Sequence, residues 1–215
     1  MNSINTASLD LAHRLVATLP YGIDGLFNPW RDHCPNDAFG NGPVEKLERL
    51  ALHLDCQADY ILIGEAPGYQ GCRYSGIAFT SERLLSEGGI PRLPVVSARL
   101  STRRLPFSEP SATIVWKTLY RLGIAERTIL WNAVQLHPHR SDNIWSNRTP
   151  RPDEIALGKP ALALLIESFP NAKLIAVGKK SEELLQKMGV LVSGAVRHPA
   201  FGGAAEFASG LELLI

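Results

Sequence analysis

Four short apolar runs rich in β-branched residues recur along the chain, at Tyr60–Gly64, Thr128–Val134, Lys173–Gly178 and Val190–Arg197. Each has the length of a single buried strand. Between and before them, Pro43–Leu54, Ser111–Leu122, Asp153–Phe169 and Ser181–Met188 place apolar residues three or four apart, the spacing that gives a helix one buried face. Thr149-Pro150-Arg151-Pro152-Asp153 has the residues of a helix start, and Ser181-Glu182 those of a cap. A further helix is expected over about Ser8–Leu19. Strands alternating with helices predict an α/β fold, a three-layer sandwich in which a four-stranded parallel sheet is covered on both faces through right-handed crossovers. Gly88–Pro110 breaks the pattern: Pro91, Pro94, Pro106 and Pro110 with Arg92, Arg99, Arg103 and Arg104 predict an extended loop or hairpin.

Length and composition narrow the class. A chain of 215 residues with 45% hydrophobic content supports one substantial core, so a single domain over residues 1–215 is expected. No apolar run approaches the ~20 residues of a membrane span. Asp10, His13 and Arg14 interrupt the most apolar N-terminal stretch, which lacks a secretory signal's core, so a cytoplasmic location and no membrane partner are expected. Cys34, Cys56 and Cys72 are widely separated and form no metal-binding spacing; neither a metal nor a cofactor is expected, and the thiols read as reduced and structural.

The formal net charge of +1 conceals an asymmetry. Residues 70–151 carry 12 Lys/Arg against 5 Asp/Glu, a balance of +7, while the rest carries 10 against 16, a balance of −6. Such a basic middle suits a phosphate-facing surface as readily as ordinary solvated loops.

In parallel α/β folds ligands bind beyond the carboxyl ends of the strands, so the four strand ends are where chemistry is expected. After the first comes Gly64-Glu65-Ala66-Pro67-Gly68, a tight turn whose amides can face a ligand, and 15 residues beyond Gly64 stands Phe79. Asn132, after the second, presents one acceptor and two donors. Gly178-Lys179-Lys180-Ser181 follows the third at a helix start, where amides, a hydroxyl and ammonium groups could hold phosphate. Arg197-His198-Pro199 follows the fourth. Taken singly, Glu65 could be a solvated loop carboxylate, Phe79 a core residue, Asn132 a loop cap and His198 a packed ring; their succession at consecutive strand ends favours a site.

In that order these motifs resemble the uracil-DNA glycosylase superfamily, over residues 60–207. The first motif is similar to the Gly-Glu-Ala-Pro-Gly form of its family-four-like branch, and Phe79 matches the ring that stacks on the base. Asn132 matches the base-reading asparagine, and His198-Pro199 the start of the motif that supplies the catalytic histidine. Three departures stand out. The family-four-like branch holds an iron–sulfur cluster on four cysteines, which 3 cysteines cannot supply. The best-known uracil enzymes have Asp at the position of Ala66 and Tyr at that of Gly68. The second motif usually continues with Ser, where this chain has Ala200.

The resemblance implies a monofunctional hydrolase that cleaves the N-glycosidic bond of a flipped uracil or related deaminated base in DNA, acting as a monomer in base-excision repair. It assigns His198 to catalysis, with Glu65 as the substitute base that this chain offers in place of the aspartate missing at Ala66, and Gly64, Ala66, Pro67, Gly68, Phe79 and Asn132 to the base. Gly178, Lys179, Lys180, Ser181, Arg197 and Phe201 would meet the DNA, Phe201 as a wedge filling the vacated stack. Arg92, Arg103, Arg104, Arg140 and Arg148 are further candidates for phosphate contact. Two other functions fit the sequence: a non-catalytic DNA or damaged-base binding module of the same fold, and an α/β hydrolase of small nucleotides.

Overall fold

The computed structural model describes residues 4–215. Helix α1 (Thr6–Ala17) opens on Asn5, whose side chain accepts the Ala7 amide at 3.0 Å. After the two-residue strand β1 (Leu26–Phe27) come α2 (Pro43–Leu54), β2 (Tyr60–Gly64) and two short helices, α3 (Cys72–Ser75) and α4 (Glu82–Ser86). Helix α5 (Pro110–Arg121), β3 (Thr128–Asn132) and β4 (His137–Pro138) follow, then α6 (Pro152–Ser168), β5 (Lys173–Val177), α7 (Lys179–Met188), β6 (Gly194–Val196) and α8 (Ala204–Glu212). Strands β3, β2, β5 and β6 lie side by side in that order, all parallel, while β1 and β4 form a small antiparallel pair. The expected three-layer α/β sandwich is the observed architecture.

Why the strand runs are continuously apolar follows from their two faces. Ile61, Ile63, Ile129, Trp131, Leu174 and Ala176 point to one side, where α1, α2, α6 and α7 cover them. Leu62, Leu130, Ile175, Val177 and Val196 point to the other, against α5 and α8. Strand β3 lies at the sheet edge, and side chains close it: His53 Nε2 accepts the Leu130 amide at 2.9 Å and Arg92 donates to the Thr128 carbonyl at 3.1 Å.

Several boundaries differ from expectation. The fourth strand is confined to Gly194–Val196 because Gly189, at φ 78, ends α7 in a left-handed turn and the Val190 amide still bonds the Leu185 carbonyl. Pairing starts only where the Ser193 amide reaches the Leu174 carbonyl at 2.7 Å. Helix α7 begins two residues ahead of Ser181, on Gly178 at φ 91, so Ser181 lies inside the first turn and does not cap it. The arginine- and proline-rich segment 88–110 has no regular element of its own before Pro110. It is gathered around the buried Glu82 carboxylate, which accepts from Leu100 N, Ser101 Oγ, Phe107 N and Arg99 Nε at 2.6–2.9 Å. Burial alone would push that carboxyl up, but these donors hold it below its usual range.

Candidate functional site

The carboxyl ends of the four parallel strands open on a cleft of about 710 Å³. Every residue assigned from the sequence lines it except Gly64, which lies behind the lining residues Phe79 and Asn132. The ladder between β2 and β3 runs on into the loops, with Ala133 N donating to Gly64 O at 2.8 Å and Val134 N to Glu65 O at 3.0 Å. The first motif is thereby tied to the exit of β3. Gly64 is needed for what touches it: a Cβ there would stand 2.7 Å from Phe79 Cζ and 2.8 Å from Asn132 Oδ1.

Phe79 reaches this position by a strained path, at φ 48, held by its neighbours. Ser75 Oγ and Ile77 exchange hydrogen bonds, and Trp116 Nε1 donates to Thr80 Oγ1 at 3.1 Å. The ring is 8% exposed, and its centroid is 6.1 Å from that of His198. Asn132 is 6% exposed and lines the cleft, where among the described residues its carboxamide makes no hydrogen bond to protein and is not among the fully buried unpaired groups. A carboxamide that faces a cleft without a protein partner keeps its donor and acceptor available to a ligand.

His198 sits over Gly178, where a Cβ would come 3.0 Å from the histidine's own Cβ. Its Nδ1 accepts the Ala200 amide at 3.2 Å, so the neutral ring carries its proton on Nε2. Burial, with the adjacent Arg197 charge, lowers its pKa below the ordinary histidine value. The ring is therefore a neutral N–H donor.

Glu65 is held above the usual carboxylate range by burial, opposed by the Lys180 ammonium and the Thr149 hydroxyl. Its Oε1 is buried with no hydrogen-bond partner, 3.9 Å from Lys180 Nζ, which donates to Thr149 Oγ1 at 2.7 Å. Sequence reasoning missed a second carboxyl in the cleft wall. Glu109 accepts from Ser111 Oγ at 2.9 Å, has no cationic partner among the described residues, and is pushed up by burial. A Cβ on Gly71 would collide with its Oε2, so the glycine makes room for it.

The remaining assigned residues divide. Lys179 and Lys180 are exposed at the start of α7, Arg197 is exposed, and Phe201 projects fully into solvent at φ 52 on the rim. Ser181 is placed otherwise: it is buried, and its hydroxyl donates to the Ile63 carbonyl at 2.5 Å, joining α7 to β2 and leaving no free hydroxyl for phosphate. Most of the arginines considered for phosphate contact are committed to protein partners. Arg92 donates to the Glu126, His53 and Thr128 carbonyls. Arg148 binds both Glu154 oxygens at 2.6–2.7 Å, Arg140 pairs with Asp142, and Arg103 lies 4.3 Å above the Phe107 ring. Of the five arginines considered for phosphate contact, only Arg104 is exposed without such a side-chain partner among the described residues.

Among the described residues no group of three or more His, Cys, Asp or Glu side chains is placed to hold a metal ion. Cys72 is buried and burial drives its thiol up, so the thiolate that a cluster requires is disfavoured. The donor set does not fit an iron–sulfur cluster. No helix among them is long and apolar enough to cross a membrane.

Residues 53–208 match the family model of the uracil DNA glycosylase superfamily, and the chain belongs to that superfamily. The crystal structure of wild-type SMUG2 from Pedobacter heparinus is similar to it, with a TM-score of 0.63 and 18% sequence identity over 96% of this chain and 97% of that one. At that identity the likeness concerns the fold. No curated protein sequence matches the chain.

Proposed function

We propose that this protein hydrolyses the N-glycosidic bond of a flipped uracil or related deaminated base in DNA. The observation that carries this reading is the Asn132 carboxamide, unpartnered among the described residues, which with Phe79 crowds Gly64 in the cleft lining, the Phe79 ring lying 6.1 Å from that of His198. An extruded base stacked on Phe79 would meet both the donor and the acceptor of Asn132. Uracil offers O4 and N3–H to that pair, whereas cytosine reverses both and would leave buried polar atoms unmatched.

As the glycosidic bond stretches, positive charge develops on the sugar and negative charge on the departing base, chiefly at O2. The Nε2–H of neutral His198 stabilises that anion, a contribution of about 3 kcal/mol for a preorganised donor. Of the two carboxyls, Glu65 has a cation nearby in Lys180, which favours its ionised form, and Glu109 has none among the described residues. Glu65 is accordingly assigned as the base that orients and deprotonates water for attack at the sugar carbon. Phe201 would occupy the gap in the stack, and Lys179, Lys180 and Arg197 would meet phosphates.

A non-catalytic reader of flipped bases is the second reading, favoured by Ala66 and Ala200. Incubation with labelled duplexes and single strands carrying uracil, hypoxanthine, xanthine or thymine, followed by alkaline cleavage of abasic sites, separates the two. Strand scission that disappears in His198→Ala and Asn132→Ala supports the enzyme; tight binding to a damaged base with no scission by the wild type supports the reader.

A further inference from the structure

A chain of hydrogen bonds runs from the buried interior to the rim of the cleft and fixes a group that none of the motifs includes. Arg73 is 2% exposed, and its Nη1 lies 2.8 Å from His137 Nδ1. A guanidinium only donates, so Nδ1 is the accepting nitrogen and the neutral ring carries its proton on Nε2. Burial and the Arg73 charge bring the His137 pKa down to about 3, in keeping with that neutral form. Nε2–H lies 3.0 Å from the Ser146 carbonyl and 3.1 Å from Asn147 Oδ1. The Tyr69 amide, also purely a donor, lies 3.0 Å from the same Oδ1.

Two donors on one oxygen settle which way the Asn147 carboxamide faces. Its Oδ1 is turned to the protein, and its Nδ2 is left with two N–H groups and no acceptor among the described residues. That nitrogen stands 3.5 Å from where a Cβ on Gly68 would be, in the wall of the cleft. Gly68 has no side chain to screen it.

We propose that Asn147 is a nucleotide-binding residue, held by the Arg73–His137 relay so that its N–H donors face an acceptor on the extruded nucleotide, either an oxygen or ring nitrogen of the base or an oxygen of its phosphate. This rests on the function proposed above. Glu65, Lys180 and Asn132 contribute a carboxylate, an ammonium and a carboxamide elsewhere in the cleft; Asn147 adds neutral donors beside Gly68.

The test compares wild type, Asn147→Asp and Asn147→Ala. The aspartate keeps an oxygen for Tyr69 N–H and His137 Nε2–H but replaces the free donors with an acceptor, so thermal stability should be retained. Steady-state kinetics on duplexes with uracil, hypoxanthine or xanthine at one position would be accompanied by Kd measurements on duplexes carrying a non-hydrolysable 2′-fluoro nucleotide of each base. Asn147→Asp should weaken binding or kcat/KM on the order of tenfold or more, the worth of one lost donor. A loss equal for all bases and confined to Kd or KM identifies phosphate; a loss that differs among bases identifies the base edge. Unchanged Kd and kcat/KM in both variants overturn the inference while leaving the glycosylase reading in place. A wild type that binds the analogues but cleaves nothing sinks the catalytic reading, and the Kd comparison still decides Asn147. A wild type that does neither refutes both.

Discussion

Replacing Gly64 by alanine tests the site's construction at one atom. The new Cβ would stand 2.7 and 2.8 Å from Phe79 Cζ and Cε2 and 2.8 Å from Asn132 Oδ1. Ordinary carbon contacts begin at about 3.5 Å, so the ring and the carboxamide must each retreat by roughly 0.7 Å. Gly64 is absent from the positive-φ glycines, so its backbone accepts alanine and the effect is steric alone. Misplacement of reacting groups by about 1 Å costs on the order of 10²-fold in rate, which puts the expected loss in kcat/KM at roughly 10- to 100-fold. Overpacking adds about 1–3 kcal/mol of instability. Scission of a uracil duplex under single-turnover conditions, with thermal unfolding measured in parallel, reads both quantities. Adding Phe79→Leu to Gly64→Ala should recover stability, because the shorter side chain yields space, but not activity, because the stacking face is gone. A folded Gly64→Ala variant with wild-type kcat/KM would show that Phe79 and Asn132 do not hold the base.

Glu65→Gln should lower kcat by about 10²–10⁴-fold and Glu109→Gln by much less, measured by single-turnover scission; the reverse order would transfer the role of base to Glu109. Because burial raises the Glu65 pKa, activity should fall as pH drops through a midpoint above the ordinary glutamate value of 4.5, and His198, whose pKa burial lowers, should add its own loss only below the ordinary histidine value of 6.5. A pH–rate profile that is flat down to 4.5 would contradict this. Stability should decline over a different window. His53 and His137 are buried and neutral with lowered pKa values, so the unfolded chain takes up their protons first as pH falls below about 6.5. Each contributes about 1.4 kcal/mol of lost stability by about pH 5.5, where urea unfolding would read the sum; raised carboxyls such as Asp37 and Glu109 act in the opposite sense at lower pH. Unfolding free energies that do not change between about pH 7.5 and 5.5 would refute the neutral assignment. Phe201→Ala should leave thermal stability unchanged, since the ring touches only solvent, while reducing scission of duplex more than of single strands.

The sheet was legible because its strands are covered on both faces and therefore read as unbroken apolar runs, while helices such as α2 and α5 show one buried stripe. Helix α8 was not, because its signal is little more than Phe207 and Leu211 one turn apart, followed by a short tail and interrupted by Gly210, which packs against Val196. Residues directly after strands could be read as site candidates since the strand end fixes their place. Asn147 and Glu109 lie on loops whose positions depend on distant partners, Asn147 through a contact between Arg73 and His137 that spans 64 residues. Ser181 shows the converse. A hydroxyl at a helix start looks the same in sequence whether it faces an anion or, as here, the carbonyl of a neighbouring strand.

The commitment of several arginines to protein partners bears on how such a protein would search a chromosome. Arg73, Arg92, Arg99 and Arg148 serve internal carbonyls, a ring nitrogen and carboxylates, which leaves Lys179, Lys180 and Arg197 as the assigned cations exposed at the mouth of the cleft. About three phosphate contacts correspond to a slope near −2.7 in log affinity against log salt, a weak hold on undamaged duplex. Encounters with intact DNA would then be brief and numerous, and the molecule would stop only where a nucleotide enters far enough to satisfy Asn132.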